Sequence, residues 1–178
     1  ALSNGQTAFD FMSELTDRVC SIEEFNKLPV PFLCIGTDVS NGDQVVMERG
    51  CLSSAMRASG SLPGVLAPVE VDARLITDGG VVNNFPAEEV RDKGMDIVIG
   101  ITVEAALYTK DELQSIEKII EQVGSYQMEA RSREQMQYCD IGIRPDFTGY
   151  GVTSFDATDT LVLRGEYAAR EFWDRLVE

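Results

Sequence analysis

Histidine does not occur in this sequence. Its absence excludes a Ser-His-Asp triad, a Cys-His pair and the His-Glu-x-x-His metalloprotease pattern within the chain. Acid–base work therefore falls to carboxylates, lysine, tyrosine or cysteine. Cysteine is scarce, and Cys20, Cys34, Cys51 and Cys139 contain no Cys-x-x-Cys pair. With no histidine to complete a ligand set, a zinc site is not expected; no other metal and no cofactor is expected either. Cys34, within Phe32-Leu33-Cys34-Ile35, reads as a small core side chain. A serine elbow is missing as well, since no glycine satisfies the Gly-x-Ser-x-Gly spacing. Gly60-Ser61-Leu62-Pro63-Gly64 comes nearest, with the serine misplaced and a proline where a helix must follow. Gly149-Tyr150-Gly151-Val152-Thr153-Ser154 lacks the third glycine of a dinucleotide loop, and no Gly-Lys-Ser/Thr occurs.

Positive charge is also short. Fifteen Lys and Arg stand against 30 Asp and Glu, a net charge of −15. No basic footprint is left for phosphates, so no nucleic acid partner is expected. Unaided docking onto an anionic membrane is disfavoured on the same ground, and the excess charge serves solubility. No apolar run approaches the roughly 20 residues of a membrane span. Ala1-Leu2-Ser3-Asn4-Gly5 has neither the basic region nor the apolar core of a signal peptide. It does not read as a natural start either, so the chain is expected to be part of something longer.

What is present suits one globular domain over residues 1–178, with 44% hydrophobic and 25% charged residues. A chain of this length buries roughly 70% of its unfolded surface and needs no disulfide to fold. Phe9, Met12, Leu15 and Val19 give a helix over 6–19 an apolar face. Ser21 and Glu24 have capping-box spacing before a short helix carrying Phe25 and Leu28. The apolar Phe32–Val39 run predicts a buried strand, and Asn41-Gly42 turns it into Gln44–Glu48. Asp38, Ser40 and Asp43 lack the spacing of a calcium loop and read as that turn. A helix over 53–59 is predicted with Ser53 as its cap and Gly60 as its end. Val69-Glu70-Val71 and Leu75-Ile76-Thr77 flank a hairpin turn at Asp72-Ala73-Arg74. Pro86 opens a helix that ends near Lys93-Gly94, and Asp96–Val103 reads as a buried strand. A helix between two such strands marks a parallel α/β sheet. Thr109 and Glu112 form a second capping box, predicted to open a helix from about 110 to 138. Its expected core stripe is Leu113, Ile116, Ile119, Ile120 and Val123, with a kink or exposure after Gly124. Asp140–Pro145 is a last strand, and Leu161, Ala168, Phe172 and Leu176 face inward on a closing helix.

One stretch carries a candidate for chemistry. Leu75-Ile76-Thr77 delivers Asp78 to a strand end, followed by Gly79-Gly80, Val81-Val82, Asn83-Asn84 and Phe85-Pro86. Two readings fit the residues. Asp78 is a turn former accepting backbone N–H groups from Gly79 and Gly80, or it is a general base. Asn83 and Asn84 either shape the turn and helix entry or orient the carboxylate. A pairing of Asp38 with Asp78 as two catalytic carboxylates is a further possibility.

The ordered set Ala58-Ser59-Gly60-Ser61-Leu62-Pro63-Gly64, Pro68-Val69 and Asp78–Pro86 resembles the C-terminal half of patatin-like phospholipase domains, bacterial members in particular. The likeness continues through Gly94–Gly100 and Cys139–Pro145. It implies an α/β fold, a three-layer α/β/α sheet incomplete on its N-terminal side. It also implies lipid acyl ester hydrolysis by a Ser–Asp dyad that needs no histidine. By position Asp78 would be the dyad aspartate, Gly79 and Gly80 would let backbone pass close to the nucleophile, and Asn83 and Asn84 would support the motif. Leu62, Pro63 and Val65 would line an acyl pocket, core packing being the alternative. The family's first strand, glycine-rich oxyanion loop and serine elbow have no counterpart here. An oxyanion donor is worth about 3–4 kcal/mol, so the chain alone is expected to be inactive. Its partners would be a lipid acyl ester and the N-terminal segment of the same domain, or a second copy joined through unpaired strands. The alternative is a non-catalytic module of the same fold that binds a lipid or protein partner. Lipid class stays open, as does location in a bacterial cytoplasm or envelope, which an upstream segment would decide.

Overall fold

The computed structural model describes residues 4–104, 107–151 and 154–177. Ala1, Leu2 and Ser3 of the leading segment, and Val152 and Thr153 of the glycine-containing loop, lie outside them. The chain is α/β, with helices, an antiparallel sheet and a parallel strand pair. It divides into two compact units, residues 1–84 and 85–178.

The first unit is built on a four-stranded sheet of order β2-β1-β4-β3. Its strands are β1 (Cys34–Asp38), β2 (Gln44–Met47), β3 (Val69–Val71) and β4 (Arg74–Asp78), and every neighbouring pair is antiparallel. The turn after β1 is where Asn41-Gly42 puts it. Gly42 takes φ 79°, and the Asp38 carboxylate accepts the Ser40 N–H and hydroxyl. That bonding makes Asp38 a turn former. Between β3 and β4 only Asp72 and Ala73 turn, at φ 49° and 60°, the mirror-image turn that matches strand twist. Arg74 already belongs to β4.

One helix packs on this sheet and a second packs on the first. Helix α1 (Gln6–Thr16) continues into a 3-10 turn over Asp17–Val19 and packs against α2 (Leu52–Ser59). Phe9, Met12 and Val19 are half-buried, as the spacing predicts, but Leu15 is exposed. The N-cap of α2 is Cys51, not Ser53. Ser53 lies inside the first turn, buried, with its hydroxyl beside the Cys51 thiol. The Ser21–Glu24 box does not form, because the 3-10 turn Phe25–Lys27 has no side-chain cap and Glu24 pairs with Lys27 instead. Phe25, Leu28, Met47, Leu52, Ala55, Ala58 and Ile76 make the core, with Cys34 packed at its margin. Burial pushes the Cys34 thiol up to about 11, as befits a core side chain.

In the second unit, Pro86 precedes α3 (Ala87–Asp92), and Gly94 takes φ 81° just beyond its end. The following strand is shorter than its apolar run. Only Ile99–Ile101 pairs as β5, parallel to β6 (Ile141–Ile143). The parallel pair therefore arises across α4 (Ile116–Gln135), while β4 has only antiparallel partners. Thr109 and Glu112 do bond to each other, but they close a turn, and Ser115 caps α4 by accepting the Lys118 N–H. The expected core stripe of α4 is corrected by the structure. Ile116, Ile119, Ile120 and Val123 are exposed and Leu113 is half-buried. The helix instead buries Gln122, Ser132 and Gln135. Gln122 is held by both the N–H and the carbonyl of Tyr108, and Gln135 by Glu88. These polar anchors fix which side of α4 is inward. The helix passes Gly124 unbroken, and its second half carries the deeper contacts. Phe85, Ala87 and Val98 form a small core. Leu161, Ala168, Phe172 and Leu176 are half-buried along α5 (Thr158–Arg170), the short break after it and α6 (Trp173–Val177).

Candidate active site

β4 ends on Asp78, opposite Gly36 of β1, and Thr77 lies opposite Thr37. These threonines are buried in a sheet centre where an unbonded hydroxyl would be costly. Both find partners next to Asp78. Thr37 donates its hydroxyl to the Asp78 carbonyl at 2.8 Å, and Thr77 donates to the Ser61 carbonyl at 2.8 Å. The same Ser61 carbonyl accepts the Asp78 N–H at 3.2 Å. The peptide of Asp78 is thus held from both sides.

The carboxylate caps the 3-10 turn Gly79–Val81, its Oδ1 accepting the Gly80 N–H at 2.7 Å. Burial raises the Asp78 pKa above the ordinary carboxylate range, and the Gly80 N–H opposes that rise. No arginine or lysine contributes to this balance. Asp78 is a half-buried acid whose charged form is disfavoured, the condition that makes a carboxylate a stronger base.

Gly79 is required by close approach. A Cβ there would overlap the Ile35 carbonyl of β1. At Gly80 a Cβ would lie 2.8 Å from the Asn84 side-chain oxygen and 3.0 Å from Asp78 Oδ1. Asn84 and Asp78 therefore converge on Gly80. Asn83 behaves differently: it is buried, donates its amide to Gln44 on β2 at 3.0 Å, and bonds its N–H to the Gly79 carbonyl at 2.8 Å. It moors the turn to the sheet. Leu62, Pro63 and Val65 are exposed on the loop after α2, so core packing does not account for them. The structure adds Thr37, Thr77, Ser61 and Arg57 to the residues the sequence singles out. The available signal was hydroxyl residues inside two apolar strands, which must find acceptors once buried. Ser61 is not a nucleophile for Asp78. It is fully buried, its hydroxyl donating to the Arg57 carbonyl and accepting from the Arg57 guanidinium. Among the described residues no serine hydroxyl is bonded to the Asp78 carboxylate.

Residues 35–91, the segment that contains this site, match the patatin-like phospholipase family. An uncharacterized NTE family protein of Mycobacterium tuberculosis is 39% identical over 77 residues, covering 43% of this chain and 21% of that protein. Another, from Mycobacterium bovis, is 27% identical over 167 residues, covering 80% of this chain and 29% of the relative. A patatin-like phospholipase domain-containing protein of Caenorhabditis elegans is 41% identical over 76 residues, 42% of this chain and 6% of its own length. The chain spans between a fifth and a third of the mycobacterial relatives. Their likeness extends beyond the patatin-like segment in the second case, since it covers most of the chain. Among the described residues no helix is long and apolar enough to cross a membrane.

Proposed function

We propose that this chain is the C-terminal part of a patatin-like domain and supplies the aspartate of a Ser–Asp dyad in a lipid acyl hydrolase. The observation that carries it is the half-buried Asp78, with its peptide bonded on both sides and one carboxylate oxygen on Gly80. Oδ2 would then take the proton of a serine hydroxyl brought by a segment outside this sequence. The serine oxygen bonds to the acyl carbon of a lipid ester, and the alcohol leaves with the proton held by Asp78. Water, deprotonated by the same carboxylate, releases the acid and restores the serine. Gly79 and Gly80 permit the nucleophile's backbone to come close, and the exposed Leu62, Pro63 and Val65 are candidates for the acyl-chain wall. Before such a segment joins it, β5 offers an edge through which the chain would self-associate.

The test is hydrolysis of a short acyl ester by the chain alone and by a protein in which it follows a Gly-x-Ser-x-Gly segment. The chain alone should be inactive. The longer protein should be active and lose that activity on Asp78→Asn. Turnover by the isolated chain that Asp78→Ala abolishes would overturn the proposal. A coding sequence with no serine elbow ahead of Ala1 would favour a lipid- or protein-binding module instead.

A further inference from the structure

Arg57 lies on α2 and is 3% exposed. Burying a guanidinium is costly unless its N–H groups are all engaged. Here the partners are neutral oxygens. Nε donates to the Gly5 carbonyl at 3.3 Å, and one terminal nitrogen donates to the carbonyls of Asn4 at 3.2 Å and Ala67 at 3.1 Å. The other terminal nitrogen donates to the Ser61 hydroxyl. No carboxylate is among its bonded partners in the described residues. The segment leading into α1 and both ends of the 61–67 loop are gathered on one side chain. Only arginine has a planar fork of five donors able to span three separate segments.

The arrangement continues beyond Arg57. Ser61 returns its own hydroxyl proton to the Arg57 carbonyl at 2.8 Å, which fixes the residue as one end of the loop. Its carbonyl then receives Asp78 N–H and the Thr77 hydroxyl. A chain of bonds therefore runs from the guanidinium through Ser61 to the peptide of the candidate dyad acid. The exposed Leu62 and Val65 lie on the loop clamped between Ser61 and Ala67.

We infer that Arg57 is a positioning residue. It sets the height of Asp78 through Ser61 and holds the 61–67 loop at both ends, so that the acid and the exposed apolar loop keep one fixed relation. The inference rests on the dyad reading for its catalytic meaning, but the positioning itself does not need catalysis to be observed.

The 178-residue chain serves for the first measurement. Amide hydrogen exchange is followed at Asp78, whose N–H depends on Ser61, and at Asp38 of the same sheet, whose N–H is bonded to the Asp43 carbonyl. Arg57→Met should speed exchange at Asp78 about tenfold more than at Asp38, and Arg57→Lys by an intermediate amount. The carboxyl titration of Asp78, read by carbon NMR, should move while that of Asp38 stays. Where Arg57→Met does not fold, Ser61→Ala and Arg57→Lys carry the same comparison, since the carbonyl bonds of Ser61 and several of Arg57 survive. Equal loss of protection at both amides, or no change at either, would reduce Arg57 to general packing and overturn the inference. In the serine-containing protein, Arg57→Lys should lower kcat several-fold with KM little changed. If Asp78→Asn left hydrolysis intact there, the dyad reading would fail while a differential exchange result upheld the positioning.

Discussion

The two units bury polar groups to different ends. In the first, Thr37, Thr77, Ser61 and Arg57 sit in or beside an apolar core; Thr37 and Ser61 bond the backbone of Asp78, and Thr77 and Arg57 bond Ser61. In the second, Gln122 and Gln135 fasten α4 to loop and helix backbone, beside a small core of Phe85, Ala87 and Val98 and the buried Ile141 and Ile143 of β6. Many of its aliphatic side chains face outward: Ile97, Ile99, Ile101 and Val103 in and beside β5, and Ile116, Ile120 and Val123 along α4. The first unit uses buried polar groups to hold the backbone of one acid. The second is held by hydrogen bonds and leaves apolar surface uncovered. Mutational sensitivity should divide accordingly.

Matched isoleucines give the largest contrast. Ile76 is fully buried in β4, and Ile76→Ala should cost about 2–5 kcal/mol in transfer and cavity terms. Ile116 is 72% exposed on α4, and Ile116→Ala should stay within about 0.5 kcal/mol. Urea denaturation of both variants measures the pair. Equal losses would mean that the α4 stripe is covered in solution, and concentration-dependent sedimentation would then identify a second copy as the cover.

Matched glycines sharpen the comparison with a smaller effect of opposite sign. Gly79→Ala forces a methyl into the Ile35 carbonyl and should destabilise by about 1–3 kcal/mol. Gly124 lies in the middle of α4 with nothing near the new methyl, so Gly124→Ala should stabilise by about 1 kcal/mol through helix propensity. Thermal melts resolve the difference. A neutral Gly79→Ala would show that β1 yields, and with it the argument that this glycine exists for close approach.

What could be read from residues follows the same division. Periodicity and turn chemistry located the strands of the first unit, because Asn41-Gly42 and the alternation around Asp72-Ala73 are local signals. They put Asp78 at a strand end, and the ordered glycines and asparagines made it a candidate. The clamp around it was not legible. Ser61 and Arg57 lie far from Thr37 in sequence; the antiparallel register sets Thr37 beside Asp78, and the loop after α2 brings Ser61, with Arg57 bonded to it, to the same place. In α4 the apolar spacing pointed to a buried stripe and the structure exposes it. Spacing reports which residues share a helix face, but not whether that face or a glutamine-anchored one meets the rest of the unit. Leu15 failed in the same way on α1.

The smallest effect is electrostatic, and its sign should reverse between the units. Asp78 has a raised pKa because burial disfavours its charge. Its folded state therefore binds protons more tightly than the unfolded chain, where aspartate titrates near about 3.9. The resulting stability is complete below the unfolded value and is lost as pH rises through the folded one. At pH 7 the native carboxylate is a liability, so Asp78→Asn should raise the melting temperature there, and the gain should vanish on acidification. Glu88 is the opposite case. The Tyr138 hydroxyl, at 2.7 Å, and then Gln135 lower its pKa. Its contribution is present above the unfolded value, near about 4.3 for glutamate, and is lost as pH falls through the folded one. Glu88→Gln should therefore lower the melting temperature at pH 7, with the difference shrinking in acid. Melts of both variants from pH 3 to pH 7 test the pair. Asp78→Asn that destabilised at neutral pH would mean the carboxylate serves the fold through Gly80, and the case for a base held at a cost to stability would fall with it.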